Sequence, residues 1–171
     1  KGASAEDLII LSDSDKIPDI TKQSQIKKNK KIIEFSQKMF MYKLNLQNLN
    51  ESNWMGSRIT KKKNIKSMQE LRNLKFKNNH FWRIDKYNQQ IIKGGWHFSY
   101  LQTPTQILHK IKSFSHGEYN NEIMDENYIQ KKIYRNEDIF DRGTKLKKIS
   151  LDSSYPKYIY ENKEIFLDWT I

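Results

Sequence analysis

Two stretches of the chain hold residue types that do chemistry at a useful spacing. The first is Asp13-Ser14-Asp15, directly after the apolar run Leu8-Ile9-Ile10-Leu11. Carboxylates one residue apart at a strand end can converge on one hard divalent cation. Mn²⁺ or Mg²⁺ suits such oxygen donors, keeps positions open for phosphate oxygens, and neutralises charge on a departing diphosphate. Asp and Ser also close turns and cap helices, so a capped turn before the residues near 20 is the competing reading.

The second stretch is denser. It runs Gly94-Gly95-Trp96-His97-Phe98-Ser99-Tyr100, then Lys110, then Ser113 to Tyr119 with His116-Gly117-Glu118 inside it. Two of the four histidines fall here, each beside aromatics. Either imidazole can bind metal, move a proton, or donate a hydrogen bond to phosphate or sugar. Aromatic faces stack on sugar rings, and the same rings also serve as core. Glu118, next to His116, is the best-placed general base; a solvated surface carboxylate is the plainer alternative. Gly94-Gly95 inside a strand pattern indicates a bulge or the close approach of a ligand to the backbone.

The elements that must position these residues follow from periodicity. Leu8–Leu11 is short, continuous and apolar, the pattern of a buried strand in a mostly parallel sheet. Ser12 to Asp15 then sits at the strand end where open α/β sheets bind ligands. Residues 20–30 read as helical and basic, and residues 33–46 as one or two strands. Residues 47–64 read as a polar connection, and residues 65–74 as a short helix. Short strands are expected at 81–84 and 90–96. Thr103 followed by Pro104 opens a helix to about residue 114, and Asp125 caps another over 125–135. Residues 143–171 read as irregular. No internal repeat appears, and the expectation is one domain over 1–171, or part of one.

Composition sets the outer bounds. The chain has 171 residues, 36% hydrophobic and 30% charged, with 12% aromatic, which is rich for a disordered chain. The net charge of +11 predicts attraction to anions. Lysine, asparagine and isoleucine are abundant, valine is absent, and alanine occurs only at 3 and 5. That is chain-wide compositional drift, under which lysines say little about a partner. A basic nucleic-acid-binding domain is the alternative from another class, but no such signature is present and nucleic acid is not the expected partner. Without cysteine, disulfides and thiolate metal sites are excluded. No apolar run is long enough to span a membrane. The compartment stays open.

An Asp-x-Asp after an apolar strand also places nucleophile and acid in haloacid-dehalogenase-like phosphatases. Those continue with Gly or Thr, whereas this chain continues Lys16-Ile17-Pro18. A closer resemblance is to family 17 of the glycosyltransferases, the family of the β-1,4-mannosyl-glycoprotein 4-β-N-acetylglucosaminyltransferase. It is carried by GASAEDLIILSDSDKIP (2–18), GGWHFSYL (94–101), ILHKIKSFSHGEY (107–119), EDIFDRG (137–143) and YPKYI (155–159).

The resemblance implies an α/β, GT-A-like fold of which this chain is the C-terminal portion. The family normally has roughly a hundred residues upstream, more than one supersecondary unit, holding the uridine. It implies a nucleotide-sugar donor, UDP-GlcNAc, a glycan acceptor, a divalent metal, and inversion to a β-linkage. Asp13 and Asp15 match the metal pair. His97, Lys110, His116 and Glu118 match family positions. Glu118 and His116 are the catalytic candidates, and Gly94, Gly95, Trp96, His97, Tyr100 and Lys110 the donor- or acceptor-binding ones. One departure stands out: the family has Glu after the acidic pair, and here Lys16 follows it. A cation there repels a metal, points away from it, or contacts the diphosphate. A catalytically silent relative is therefore a further alternative.

Overall fold

The computed structural model describes residues 2–74, 88–113 and 124–171. The strand expected at 81–84 lies outside them. The chain divides into two compact units, Lys1–Gln37 with Asn53–Trp96, and Lys38–Ser52 with His97–Ile171.

The first unit is built on an antiparallel sheet. Strand β1 (Leu8–Leu11) is followed after a tight turn by β2 (Lys16–Pro18) and a 3₁₀ segment, Ile20–Gln25. Strand β3 (Ile32–Met41) contributes its first half here. After the short strand β4 (Leu46–Asn48), which belongs to the second unit, β5 (Trp54–Lys61) returns to the first. Helix α1 (Met68–Asn73) and the start of β6 (Gln89–Ser99) complete it. β5 lies between β1 and β3 and is antiparallel to both. β6 pairs with β3, and β2 with β6. Ile33, Phe35, Ile59 and Ile92 form the core, with Ile26 packed against them.

β5 is the strand that sequence reading places in a polar connection, and the structure corrects this. Ile59 is its one buried apolar side chain, and the polar Ser57 and Thr60 are buried on either side of it. Arg58 faces Glu34 across the ladder and donates from Nε to its carboxylate at 2.9 Å. A strand in which Ser57 and Thr60 are buried around a single buried apolar residue, Ile59, has too little apolar alternation to announce it. The parallel buried strand expected at Leu8–Leu11 is likewise corrected. β1 is antiparallel to β5, and Leu8 and Ile10 are 48% and 47% exposed. An unbroken apolar run does not by itself say which of its faces is covered.

In the second unit, the end of β3 pairs with β4, and β4 with β7 (Leu146–Lys148), both antiparallel. Helix α2 (Pro104–Ser113) packs on α3 (Glu126–Tyr134) through buried Ile107 and Ile111 on one and Ile129 and Ile133 on the other. Both starts were legible. Thr103 and Gln106 form a reciprocal capping box, with Pro104 at the first helical position. Asp125 accepts from the Tyr128 amide at 2.7 Å. Residues expected to be irregular include β7, helix α4 (Lys157–Glu161) and a 3₁₀ segment, Lys163–Trp169. Phe40 lies between Phe98 and Tyr155, with both centroid separations 5.3 Å.

The described residues thus form a mixed α/β structure. The fully buried Glu34 makes Arg58 the most consequential polar residue of the first unit. Replacing Arg58 with Met leaves that carboxylate uncompensated and should cost about 3–5 kcal/mol in urea unfolding. Adding Glu34→Leu should recover much of the loss.

Candidate active site

The Asp13–Asp15 turn is fixed by a chain of hydroxyls. Ser12 donates from Oγ to the Lys16 carbonyl at 2.7 Å, closing the loop. Its oxygen lies 2.6 Å from Ser57 Oγ, which therefore donates to it, and Gln37 Nε2 donates to Ser57 at 3.1 Å. The Lys16 amide donates to the Asp13 carbonyl at 3.1 Å. The buried strands β3 and β5 thus hold the turn from below.

Both Asp13 carboxylate oxygens meet cations. Lys16 Nζ bonds to Oδ2, and Arg72 donates from Nη2 to Oδ1 at 2.9 Å. Arg72 is delivered by the last turn of α1, whose Ser67 cap accepts from the Glu70 amide. The C-terminal carbonyls of α1 are gripped by Arg58, whose guanidinium donates to Leu71, Arg72 and Leu74. Ser12, Asp13, Lys16, Gly56, Arg58 and Arg72 surround a small polar pocket of about 90 Å³. Glu34 completes the charge balance: burial raises its carboxyl above its ordinary value, against the downward pull of Arg58 and Lys16.

Asp13 and Asp15 lie on one turn, and both carboxylate oxygens of Asp13 are occupied by Lys16 and Arg72. Among the described residues no three His, Cys, Asp or Glu side chains gather into a fuller metal cluster. A bound ion would take its remaining ligands from water or phosphate, as Mg²⁺ commonly does.

Gly94 and Gly95 also lie in the first unit, and the close approach there is made by the chain itself. A Cβ on Gly94 would stand 2.9 Å from Lys22 Cδ. One on Gly95, at φ +109°, would stand 2.4 Å from the Ile17 carbonyl oxygen. Glycine is thus required at 95, where β6 passes the β2 backbone, whereas at 94 the nearest atom belongs to the flexible Lys22 side chain. Lys22 Nζ donates to the Lys93 carbonyl at 2.6 Å. Trp96 is half-buried at the end of this unit.

His97, Tyr100 and Lys110 belong to the second unit. His97 is buried on β6. Tyr100 follows it in the left-handed region, φ +53°, and its ring faces Tyr42, itself at φ +65°, at 6.2 Å, and Phe140 at 5.7 Å. Lys110 from α2 lies 4.7 Å over the Tyr100 ring, so these two residues do come together. Arg142 stacks on Phe140 at 4.6 Å. Two bulky residues at positive φ within one aromatic cluster need neighbours that over-determine them.

Asp138, in the EDIFDRG segment, is one such anchor. It accepts from Tyr42 at 2.9 Å, Thr144 at 3.0 Å, and both Nε and Nη2 of Arg142 at 2.9 and 3.1 Å. Burial pushes its carboxyl up, but the bonds from Arg142, Tyr42 and Thr144 outweigh that and hold it at about 2. Burial and the nearby Asp138 push the Tyr42 phenol up.

His116 and Glu118 lie outside the described residues. Reading by sequence missed Arg72, Arg58 and Ser12 beside Asp13, and Tyr42, Phe140 and Arg142 beside Tyr100. A usable signal existed: the chain has five arginines among 31 basic residues. Three of them, Arg58, Arg72 and Arg142, form the ion pairs to Glu34, Asp13 and Asp138.

The model for glycosyltransferase family 17 matches residues 1–144, and the chain belongs to that family. No curated protein and no solved structure matches the chain. The family's chemistry is glycosyl transfer, from a sugar donor to an acceptor. Among the described residues no helix is long and apolar enough to cross a membrane.

The Asp138 carboxyl is depressed on folding, so its contribution is complete above about pH 4 and is lost as pH falls towards about 2. Asp138→Asn should remove about 2 kcal/mol of stability at neutral pH. It should also flatten the acid limb of the stability curve between those values, measured by urea unfolding across pH.

Proposed function

We propose that the chain serves metal-dependent, inverting transfer of a sugar, N-acetylglucosamine from UDP-GlcNAc, to a glycan acceptor. The observation that carries this reading is Asp13, held on a rigid turn beside a pocket lined by Lys16, Arg58 and Arg72. Membership of the family supplies the reaction class. Asp13 and Asp15 would hold Mn²⁺ or Mg²⁺. Such an ion, when bound, supplies positive charge to a leaving diphosphate.

The chain's own residues do the rest. Glu118, with His116 beside it in sequence, takes the proton from the acceptor hydroxyl. The acceptor oxygen bonds to the anomeric carbon as the bond from that carbon to the donor phosphate oxygen breaks, and UDP leaves with the electron pair. Attack on the face opposite the leaving group gives the β-linkage. Lys16 and Arg72 are the cations next to the proposed diphosphate position. Tyr100, with Lys110 over its ring, and His97 are proposed to contact sugar, and Trp96 with Gly94 and Gly95 to border the donor.

A catalytically silent relative is favoured by one observation, the Lys16 ammonium bonded to Asp13. Calorimetric titration with UDP separates the readings. The transferase reading expects UDP binding that needs Mn²⁺ and weakens at least tenfold, about 1.4 kcal/mol, in Asp13→Ala and in Asp15→Ala. UDP affinity that ignores both the metal and these substitutions would contradict it. Affinity for RNA that falls steeply with salt and is indifferent to both substitutions would favour nucleic-acid binding instead.

A further inference from the structure

We propose that the open edge of β7, with the groove beside it, takes an extended acidic peptide segment of a partner protein as an added strand. The edge and the groove lie in the second unit, and the inference does not rest on the Asp13–Asp15 turn.

The backbone supplies the first observation. Gln47 pairs with Lys147. The Leu49 amide donates to the Lys145 carbonyl and the Ile149 amide to the Asn45 carbonyl, both at 2.9 Å. Hydrogen-bonded pairs alternate along an antiparallel ladder, so the N–H and C=O of Leu146 and Lys148 point away from β4. No strand pairs on that side of β7 among the described residues. An edge of this kind is a template for a further strand.

The groove supplies the second. It has a volume of about 670 Å³ and is shared by residues 147–151 and the C-terminal 3₁₀ segment. Ile149, Leu151 and Leu167 give it apolar surface, and Leu167 is 66% exposed. Lys147, Lys148 and Lys163 give it positive charge, and no Asp or Glu among the described residues lines it. Asp152, next in the chain, accepts from the Ser154 amide at 2.8 Å instead.

The charges select the occupant. Lysines along an edge repel a second copy of the same edge, a common way of keeping such strands from pairing with themselves. They favour an acidic strand, because carboxylates opposite lysines stabilise a strand pair and complementary charge speeds the encounter. Side chains alternate along a strand, so its apolar residues can meet the apolar surface while its carboxylates meet the lysines. A single-stranded nucleic acid shares the charge preference, but it stacks its bases on aromatic side chains, and no aromatic ring among the described residues lines the groove. In a lysine-rich chain the three lysines alone would mean little. Their coincidence with an open edge and an apolar groove carries the inference.

The probes are acetyl-Glu-Val-Glu-Val-Glu-amide and its counterpart with Lys for every Glu, read by fluorescence anisotropy, with amide hydrogen exchange followed by NMR. Wild type should bind the acidic peptide at least tenfold more tightly than the lysine one. Lys147→Glu/Lys148→Glu/Lys163→Glu alters exposed side chains only and should invert that preference. Saturating acidic peptide should slow exchange at the Leu146 and Lys148 amides at least fivefold in wild type. Acidic-peptide affinity within twofold of wild type in the triple variant, or unchanged exchange at both amides, would overturn the inference. So would polyuridine RNA that binds wild type more tightly than the acidic peptide and is lost in the triple variant, which would make the surface a nucleic-acid one. Self-association of wild type that the triple variant abolishes, measured by sedimentation, would assign the edge to a second copy of the chain and overturn it as well.

Discussion

The first unit is organised around one guanidinium. Arg58 sits directly across the ladder from a fully buried glutamate and also grips the last carbonyls of a six-residue helix. A helix this short is not stable alone, because nucleation consumes most of what its few hydrogen bonds return. Anchored by Arg58 at one end and by its Ser67 cap at the other, α1 becomes a fixed bracket that holds Arg72 against Asp13. The geometry of the acidic turn therefore depends on an ion pair that runs from Arg58, on the strand beside the turn, to the buried Glu34 one strand further in. Such pairs are poor at adding stability but costly to break.

Much of this architecture was legible where apolar period and capping chemistry agree. Ile107 and Ile111 repeat at helical spacing after Thr103-Pro104, and Ile129 and Ile133 after Asp125, and both helices form there. β3 was legible from its alternating apolar residues. β5 was not, because Ile59 is its one buried apolar residue, and Ser57, Arg58 and Thr60 find their partners Gln37, Glu34 and the Lys31 carbonyl far away in sequence. Local pattern cannot announce a strand whose burial is made acceptable only by distant hydrogen bonds. The same limit hid Arg72. Nothing near residue 72 in the chain says that Asp13 awaits it.

Compositional drift sharpens one distinction. In a chain so rich in lysine, a lysine carries little information, whereas Arg58 and Arg142 stand where the flat, multidentate head is used. Arg58 makes four contacts at once, and Arg142 forks onto Asp138 while stacking on Phe140. An ammonium cannot reproduce either arrangement. Lys16 is the exception that earns notice by position rather than type, since it directly follows the Asp13–Asp15 pair and its ammonium bonds to Asp13. Asp138, with its carboxyl held at about 2, does for the aromatic cluster what Arg58 does for the acidic turn. It ties Tyr42, Arg142 and Thr144 into the frame on which Tyr100 and Phe140 rest.

The central claim is that the Asp13–Asp15 turn takes a divalent cation together with a diphosphate. The most direct measurement is anomalous diffraction from crystals of the chain grown with Mn²⁺ and UDP. The account predicts a metal peak within about 2.6 Å of Asp13 or Asp15 carboxylate oxygens, the upper end of hard-cation distances to oxygen. A metal peak elsewhere would contradict it.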